Sequence, residues 1–226
     1  MRELHFTQRY CESLALPDGT RIYLRLVRPE DKPLLQAGLQ RMSPDSRYRR
    51  FLGAKNRLTD SELAYLTECD GYDHLAIGAV TRDADGQENG IGVARFIRSP
   101  SDPGAAEAAI AVVDDWQNRG VGTLLLMRLS AAARERGILR FQGRALTRNY
   151  PIRDILQQLG PGVRTTNAAE ELRIEVDLPD IPHDAPLGWP EPNTPLSRIL
   201  SMAAKGAVLA QRLLSRHEQA ASARVQ

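Results

Sequence analysis

Metal and redox ligands are scarce in this chain. Its 226 residues include four histidines and two cysteines. His5, His74, His183 and His217 are scattered, and Cys11 and Cys69 have no motif partner, so neither a four-ligand zinc site nor a disulfide framework is expected. Long hydrophobic runs are also missing. No stretch of about 18 uncharged apolar residues occurs, which excludes a membrane-spanning helix. The start, Met-Arg-Glu-Leu-His, lacks the apolar segment of an export signal, so a cytoplasmic protein is expected. Charge of one sign is lacking as well. Thirty basic residues against 28 acidic ones leave a formal net charge of +2, too small to call for nucleic acid or an anionic membrane as partner. What remains is the composition of a folded protein, 42% hydrophobic and 26% charged. The length suits one domain of ordinary size with or without an appendage.

The first 180 residues read as one unit. Residues 13–16 and 20–27 alternate in polarity around Pro17-Asp18-Gly19, a hairpin signal because proline presets φ and glycine accepts positive φ. Pro29-Glu30-Asp31 opens a helix with Leu34, Leu35 and Leu39 on one face. Ser43-Pro44-Asp45 starts a second helix with a capping residue, a proline in the first turn and a carboxylate at the positive end. Thr59-Asp60-Ser61-Glu62 is a capping box for a third. The period then changes. Residues 74–81, 91–97 and 105–113 predict three strands at hairpin spacing, an antiparallel meander. A long helix over 120–136 follows, closed by Gly137, then a strand over 140–146, a helix over 152–159 and a last strand over 172–178. Six prolines between 179 and 195 mark an extended linker. Leu196, Ile199, Leu200, Ala203, Ala207, Ala210 and Leu214 predict an apolar-striped tail helix. The expected division is a domain at 1–180, a linker at 181–195 and a helical tail at 196–226.

The segment with the clearest chemical content is Gln117-Asn118-Arg119-Gly120-Val121-Gly122-Thr123, between a strand and the long helix. Glycines at alternate positions of a helix start leave backbone N–H groups unobstructed, and with the helix dipole these suit a phosphate or pyrophosphate. A Walker loop would need Gly-Lys-Ser/Thr, but Thr123-Leu124 follows Gly122. A dinucleotide fingerprint would need a third small residue where Leu125 stands, and a βαβ unit where a meander is predicted.

The stretch from Val112 to Leu125, with Asp114, Trp116, Gln117, Arg119, Gly120 and Gly122 in place, resembles the coenzyme A pyrophosphate loop of the GNAT N-acetyltransferases. The order of elements around it is that family's too, over roughly residues 14–178. Asp18-Gly19, Arg28-Pro29-Glu30-Asp31, the run Ser43 to Phe51 and Leu58 to Leu63 look closest to the branch of bacterial protein-lysine acetyltransferases. Some members of that branch carry a cyclic-nucleotide domain or an acyl-CoA-synthetase-like region. Neither is visible in these 226 residues, and regulation by a cyclic nucleotide is not carried over.

The resemblance implies an α+β acyl-CoA N-acyltransferase fold, a mixed and mostly antiparallel sheet flanked by helices, here with the proline-rich linker and tail helix added. It implies acetyl-CoA as co-substrate without a metal, and acetyl transfer to an amine. That chemistry needs a base for the amine proton, a donor for the developing oxyanion and a way for the thiolate to leave. Glu107 matches the family's general base and has only apolar neighbours, Ala105, Ala106, Ala108, Ala109 and Ile110; an ordinary strand carboxylate is the competing reading. The backbone N–H of Val112 or Val113 is the implied oxyanion and pantetheine contact, on a strand that splays from its neighbour in this fold. Gln117 to Thr123 hold the pyrophosphate, Arg119 and Arg148 are candidate phosphate partners, and Asn149 is a candidate for the pantetheine arm. Leu156 stands where many members have the tyrosine general acid. Three readings stay open: a protein-lysine acetyltransferase, a small-amine acetyltransferase, or a weak acyl-CoA-binding sensor or scaffold. The tail helix is expected to dock on its own domain or to pair with a second copy.

Overall fold

The computed structural model describes residues 4–51, 55–146, 163–168 and 171–178. The expected helix over 152–159, the linker, the tail helix, Arg148, Asn149 and Leu156 lie outside the described residues.

The chain enters along a short segment that is tied down rather than free. Phe6 is fully buried and Tyr10 nearly so. Strands β1 (Cys11–Ala15) and β2 (Arg21–Leu26) form the predicted hairpin, with Gly19 at φ +83° in its turn. A 3₁₀ turn over Pro29–Asp31 leads into α1 (Lys32–Gln40), followed by α2 (Pro44–Phe51) and α3 (Asp60–Thr67). The capping box read from the sequence is formed. Glu62 N–H donates to Thr59 Oγ1 at 3.3 Å and Thr59 N–H to Glu62 Oε2 at 2.8 Å. Strands β3 (His74–Arg82), β4 (Glu88–Ser99) and β5 (Asp102–Val112) make the expected meander. Helix α4 (Val121–Glu135) ends at Gly137, φ +75°, with Ile138 N–H reaching back to Ala133 C=O at 3.0 Å, the glycine-terminated closure its sequence announces.

Strand β6 (Arg140–Leu146) then runs parallel to β5, while β7 (Val163–Ala168) and β8 (Glu171–Asp177) complete one eight-stranded sheet in the order β1-β2-β3-β4-β5-β6-β8-β7. β7 was not among the expected elements. It is the outermost strand on its side, paired to β8 alone. Every other neighbouring pair is antiparallel, so the mixed, mostly antiparallel sheet is as expected.

The two faces of the sheet follow from strand parity. Leu24, Ile77, Ala94, Phe96 and Ile110 point to one face and pack against Leu124, Leu125 and Leu129 of α4. On the other face the register aligns Arg25, Gly78, Val93 and Ala111 in one row, Ala76, Arg95 and Ala109 in the next, and His74, Ile97, Glu107 and Gln142 in a third. Leu35 and Leu39 of α1, with Met42, Leu58 and Leu66, cover part of this second face.

Candidate active site

The pairing of β5 with β6 is short. It covers Ala105, Ala106 and Glu107, opposite Arg140, Phe141 and Gln142, and stops there. β5 continues for five more residues beside β4. Extended chain turns alternate peptide groups to opposite edges. Val113 N–H donates to Ile91 C=O on the β4 side at 3.1 Å, so the peptide groups of Ile110 and Val112 face the other edge, where no strand lies beside them among the described residues. The parting of these strands leaves a slot of backbone donors and acceptors, as the family resemblance implied. It also divides the two valines: the Val113 N–H is taken by Ile91, and Val112 alone of the pair presents its N–H to the slot.

Glu107 sits at the point where the strands part. Its side chain is half-buried on the face opposite α4, between Ile97 and Gln142 in register. Gln142 is itself engaged, donating through Nε2 to Glu175 Oε1 at 3.0 Å. The Glu107 carboxylate has no hydrogen-bond or ion-pair partner among the described residues. Glu12, Glu62 and Glu88, by contrast, each pair with a basic side chain.

The loop after β5 is fixed by its side chains. Asp114 accepts from Ser43 N–H at 2.9 Å and from Gln117 Nε2 at 3.0 Å, and Gln117 Nε2 also reaches Val112 C=O at 3.1 Å and Ser46 Oγ at 3.2 Å. The Gln117 side chain therefore ties the loop to the start of α2. What it offers a ligand is the backbone that follows. Asn118 and Gly120 both take left-handed conformations, φ +59° and +89°, Asn118 being the one non-glycine residue with positive φ among the described residues. A Cβ on Gly120 would meet nothing within 4 Å, so glycine is needed there for its φ and not for space.

Helix α4 starts at this loop without a cap. Gly120, its N-cap residue, has no side chain to offer and no acidic residue lies in the first turn. The first intrahelical bond is Leu124 N–H to Gly120 C=O at 3.0 Å. The N–H groups of Val121, Gly122 and Thr123 precede it and have no helical acceptor. Together with the dipole of a 15-residue helix they form an anion seat. Arg119 stands at its rim. Its guanidinium lies 4.0 Å over the Trp116 ring and donates to Asp18 Oδ2 and, at 3.0 Å, to Thr20 Oγ1. These contacts tie the seat to the β1–β2 turn. The Thr20 N–H, then the Thr20 hydroxyl and Arg119, hold the Asp18 carboxyl down to about 2. The partnership between Arg119, Trp116 and Asp18 is not readable from spacing, because it joins residues about 100 positions apart.

Among the described residues no group of three or more His, Cys, Asp or Glu side chains is arranged to hold a metal ion, and no helix is long and apolar enough to cross a membrane.

This arrangement can be set beside known proteins. The profile of the family described as Acetyltransferase (GNAT) domain matches residues 21–161. The chain is 36% identical over 163 residues to Acetyltransferase Pat of Mycolicibacterium smegmatis, covering 72% of this chain and 47% of that protein, so it spans about half the length of that relative. It is 28% identical over 146 residues to Acetyltransferase PA5475 of Pseudomonas aeruginosa, covering 65% of this chain and 77% of that one. The crystal structure of the GNAT domain of S. lividans PAT superposes with a TM-score of 0.64 at 26% identity, over 76% of this chain and 99% of that domain. With its parted strands, uncapped glycine loop and element order, this chain belongs to the GNAT acetyltransferase family.

Proposed function

We propose that the chain transfers an acetyl group from acetyl-CoA directly to an amine, most plainly a lysine side chain of a protein, with Glu107 as general base. The observation that carries this reading is the position of Glu107, without a partner among the described residues and at the mouth of the slot between β5 and β6. In this reading the N–H groups of Val121, Gly122 and Thr123 bind the pyrophosphate, with Asn118 and Gly120 shaping the turn and Arg119 at its rim. The peptide groups of Ile110 and the N–H of Val112 hold the pantetheine arm. The Val112 N–H stabilises the oxyanion, and Glu107 takes the amine proton, directly or through water. Asn149 adds a contact to the arm.

The protein-lysine acceptor rests on the sequence likeness of residues 18–63 to that branch of the family and on the similarity to Acetyltransferase Pat. The catalytic unit is residues 1–180, with 181–195 a linker and 196–226 a tail that docks on the domain or pairs with a second copy. The setting is the cytoplasm.

The test is Glu107→Gln, a near-isosteric change that removes the proton acceptor. The variant is expected to keep the thermal shift that acetyl-CoA gives, about 2.7 kcal/mol at a hundred times its Kd. It is expected to lose about 10²- to 10⁴-fold in acetylation of lysines in a proteome extract, read by mass spectrometry. Turnover at the wild-type rate would place the base elsewhere. No shift of the wild type with millimolar acetyl-CoA would end the proposal.

A further inference from the structure

Four arginines are buried among the described residues: Arg25, Arg95, Arg128 and Arg136. Three have anionic partners. Arg25 donates to Asp31 at 2.7 Å and to Glu88 at 2.6 Å, Arg128 donates to Glu12 at 2.7 Å, and Arg136 pairs with Glu135 and fills three backbone carbonyls. Arg95, in the middle of β4, has none. It is 2% exposed. Its Nη1 donates to Leu66 C=O at 3.0 Å and to His74 Nε2 at 3.2 Å, and its Nε is buried with no partner among the described residues. Nη2 likewise donates to no described residue. His74 does not supply a counter-charge. Burial first, and the Arg95 charge second, lower its pKa to about 4, so it faces Arg95 as a neutral acceptor.

The surroundings of this side chain are as unusual. Arg95 lines a cleft between α1, α3 and the sheet whose walls are Leu35, Leu39, Met42, Leu58 and Leu66. The cleft is hollow because the strands present small residues on this face. Gly78 and Ala111 form part of its floor, where the α4 face carries leucine, isoleucine and phenylalanine. Its other charged corner is closed. Arg25 and Asp31 also line the cleft, but every nitrogen of Arg25 already donates to a carboxylate or to Leu26 C=O.

A buried guanidinium with no anionic partner among the described residues is a group that calls for one. Nε and Nη2 are the adjacent donors that bind a carboxylate side-on through two parallel hydrogen bonds. A single negative charge balances a single arginine, and the aliphatic walls favour an apolar remainder. We propose that this cleft binds a small monocarboxylate with an apolar body, its carboxylate drawn to the Arg95 guanidinium. The site goes beyond the acetyl-transfer reading. It lies on the face that carries Glu107 but is headed by a different residue.

The test uses the full chain without acetyl-CoA, so its outcome does not depend on acetyl transfer. Sodium hexanoate and 4-methylpentanoate are titrated by calorimetry and by thermal melting at matched ionic strength. Hexanamide and inorganic phosphate serve as uncharged and dianionic counterparts. Saturable binding of the carboxylates is expected. Hexanamide, phosphate and the Arg95→Met variant are each expected to be weaker by about 10- to 100-fold, and Arg95→Lys, which keeps the charge but not the fork, is expected not to restore it. Should Arg95→Met not fold, Ala111→Leu fills the floor with Arg95 intact and is expected to abolish binding. No saturable binding of either carboxylate, equal binding of hexanamide, or wild-type binding by Arg95→Met or Ala111→Leu would overturn the proposal.

Discussion

On the α4 face of the sheet, Leu24, Ile77, Phe96 and Ile110 meet Leu124, Leu125 and Leu129, all of them buried. On the opposite face the same strands present Gly78, Ala76, Ala109 and Ala111, and set Arg25, Arg95, His74 and Glu107 among them. One face removes apolar area from water with large side chains in close contact. The other spends its positions on small residues and charge, which leaves a cleft and places groups that can act on a ligand. Neighbouring residues of a single strand thus serve opposite ends. Phe96 is core, while Arg95 beside it is a charged wall; Ala106 is core, while Glu107 beside it stands at the slot. The stability of the domain belongs mainly to one face and its chemistry to the other.

Substitutions can break this contrast or sharpen it. The largest effect is expected from Phe96→Ala. Phe96 is fully buried and lies 6.3 Å, centroid to centroid, from Phe141. Its truncation should cost about 3–5 kcal/mol in a denaturant melt. A loss below about 1 kcal/mol would show that the α4 face is not the stabilising one.

A smaller effect is expected from Asp31→Asn, which loosens the charged network of the opposite face. Burial alone pushes the Asp31 carboxyl up, but hydrogen bonds from Arg25 and from the Arg28 N–H outweigh it and hold the group below its ordinary range. A carboxylate depressed in the folded state stabilises fully above its unfolded pKa of about 3.9, and that contribution is lost as pH falls through the lower folded value. The substitution should therefore cost about 1.5–3 kcal/mol at neutral pH. It should also flatten the acid limb of a stability-against-pH curve below about pH 4. An unchanged acid limb would assign that limb to other carboxylates.

The smallest effect is expected from Lys32→Ala. Lys32 and Glu68 pair at 2.7 Å on the surface, with side chains 38% and 53% exposed. Screening and side-chain entropy hold such a pair to about 0–1 kcal/mol. A larger loss would mean that the α1–α3 contact depends on it.

Much of this organisation was written in local sequence. The capping box at Thr59, the Gly137 stop, the Pro17-Asp18-Gly19 turn and the meander each depend on a few adjacent residues whose chemistry acts over short range, and they stand where the sequence put them. The glycine loop was legible for the same reason, since alternate glycines at a helix start act through the backbone. The place of Glu107 at the parting of β5 and β6 was not legible, because nothing in Ala-Glu-Ala says where β6 departs from β5. The ligation of Val113 to Ile91, the clamp of Arg119 by Asp18 and Trp116, and the isolation of Arg95 depend on register between distant strands, which a one-dimensional pattern does not carry. Val-Arg-Thr-Thr-Asn-Ala has no clean alternation to announce β7 as a strand, and pairing with β8 makes it one.

The strap before β1 has a practical meaning for anyone who attaches something to this domain. The N–H groups of His5 and Phe6 donate to Glu135 at 3.2 Å, and Arg136 Nη2 donates to Phe6 C=O at 2.6 Å. The first described residues are therefore pinned at the closing end of α4, while the glycine loop forms its opening end. At 1.5 Å per residue the 15 residues between lie about 22 Å long. Attachment at residue 4 is therefore attachment at the end of α4 remote from the glycine loop, the end to choose when the seat proposed at that loop must stay open.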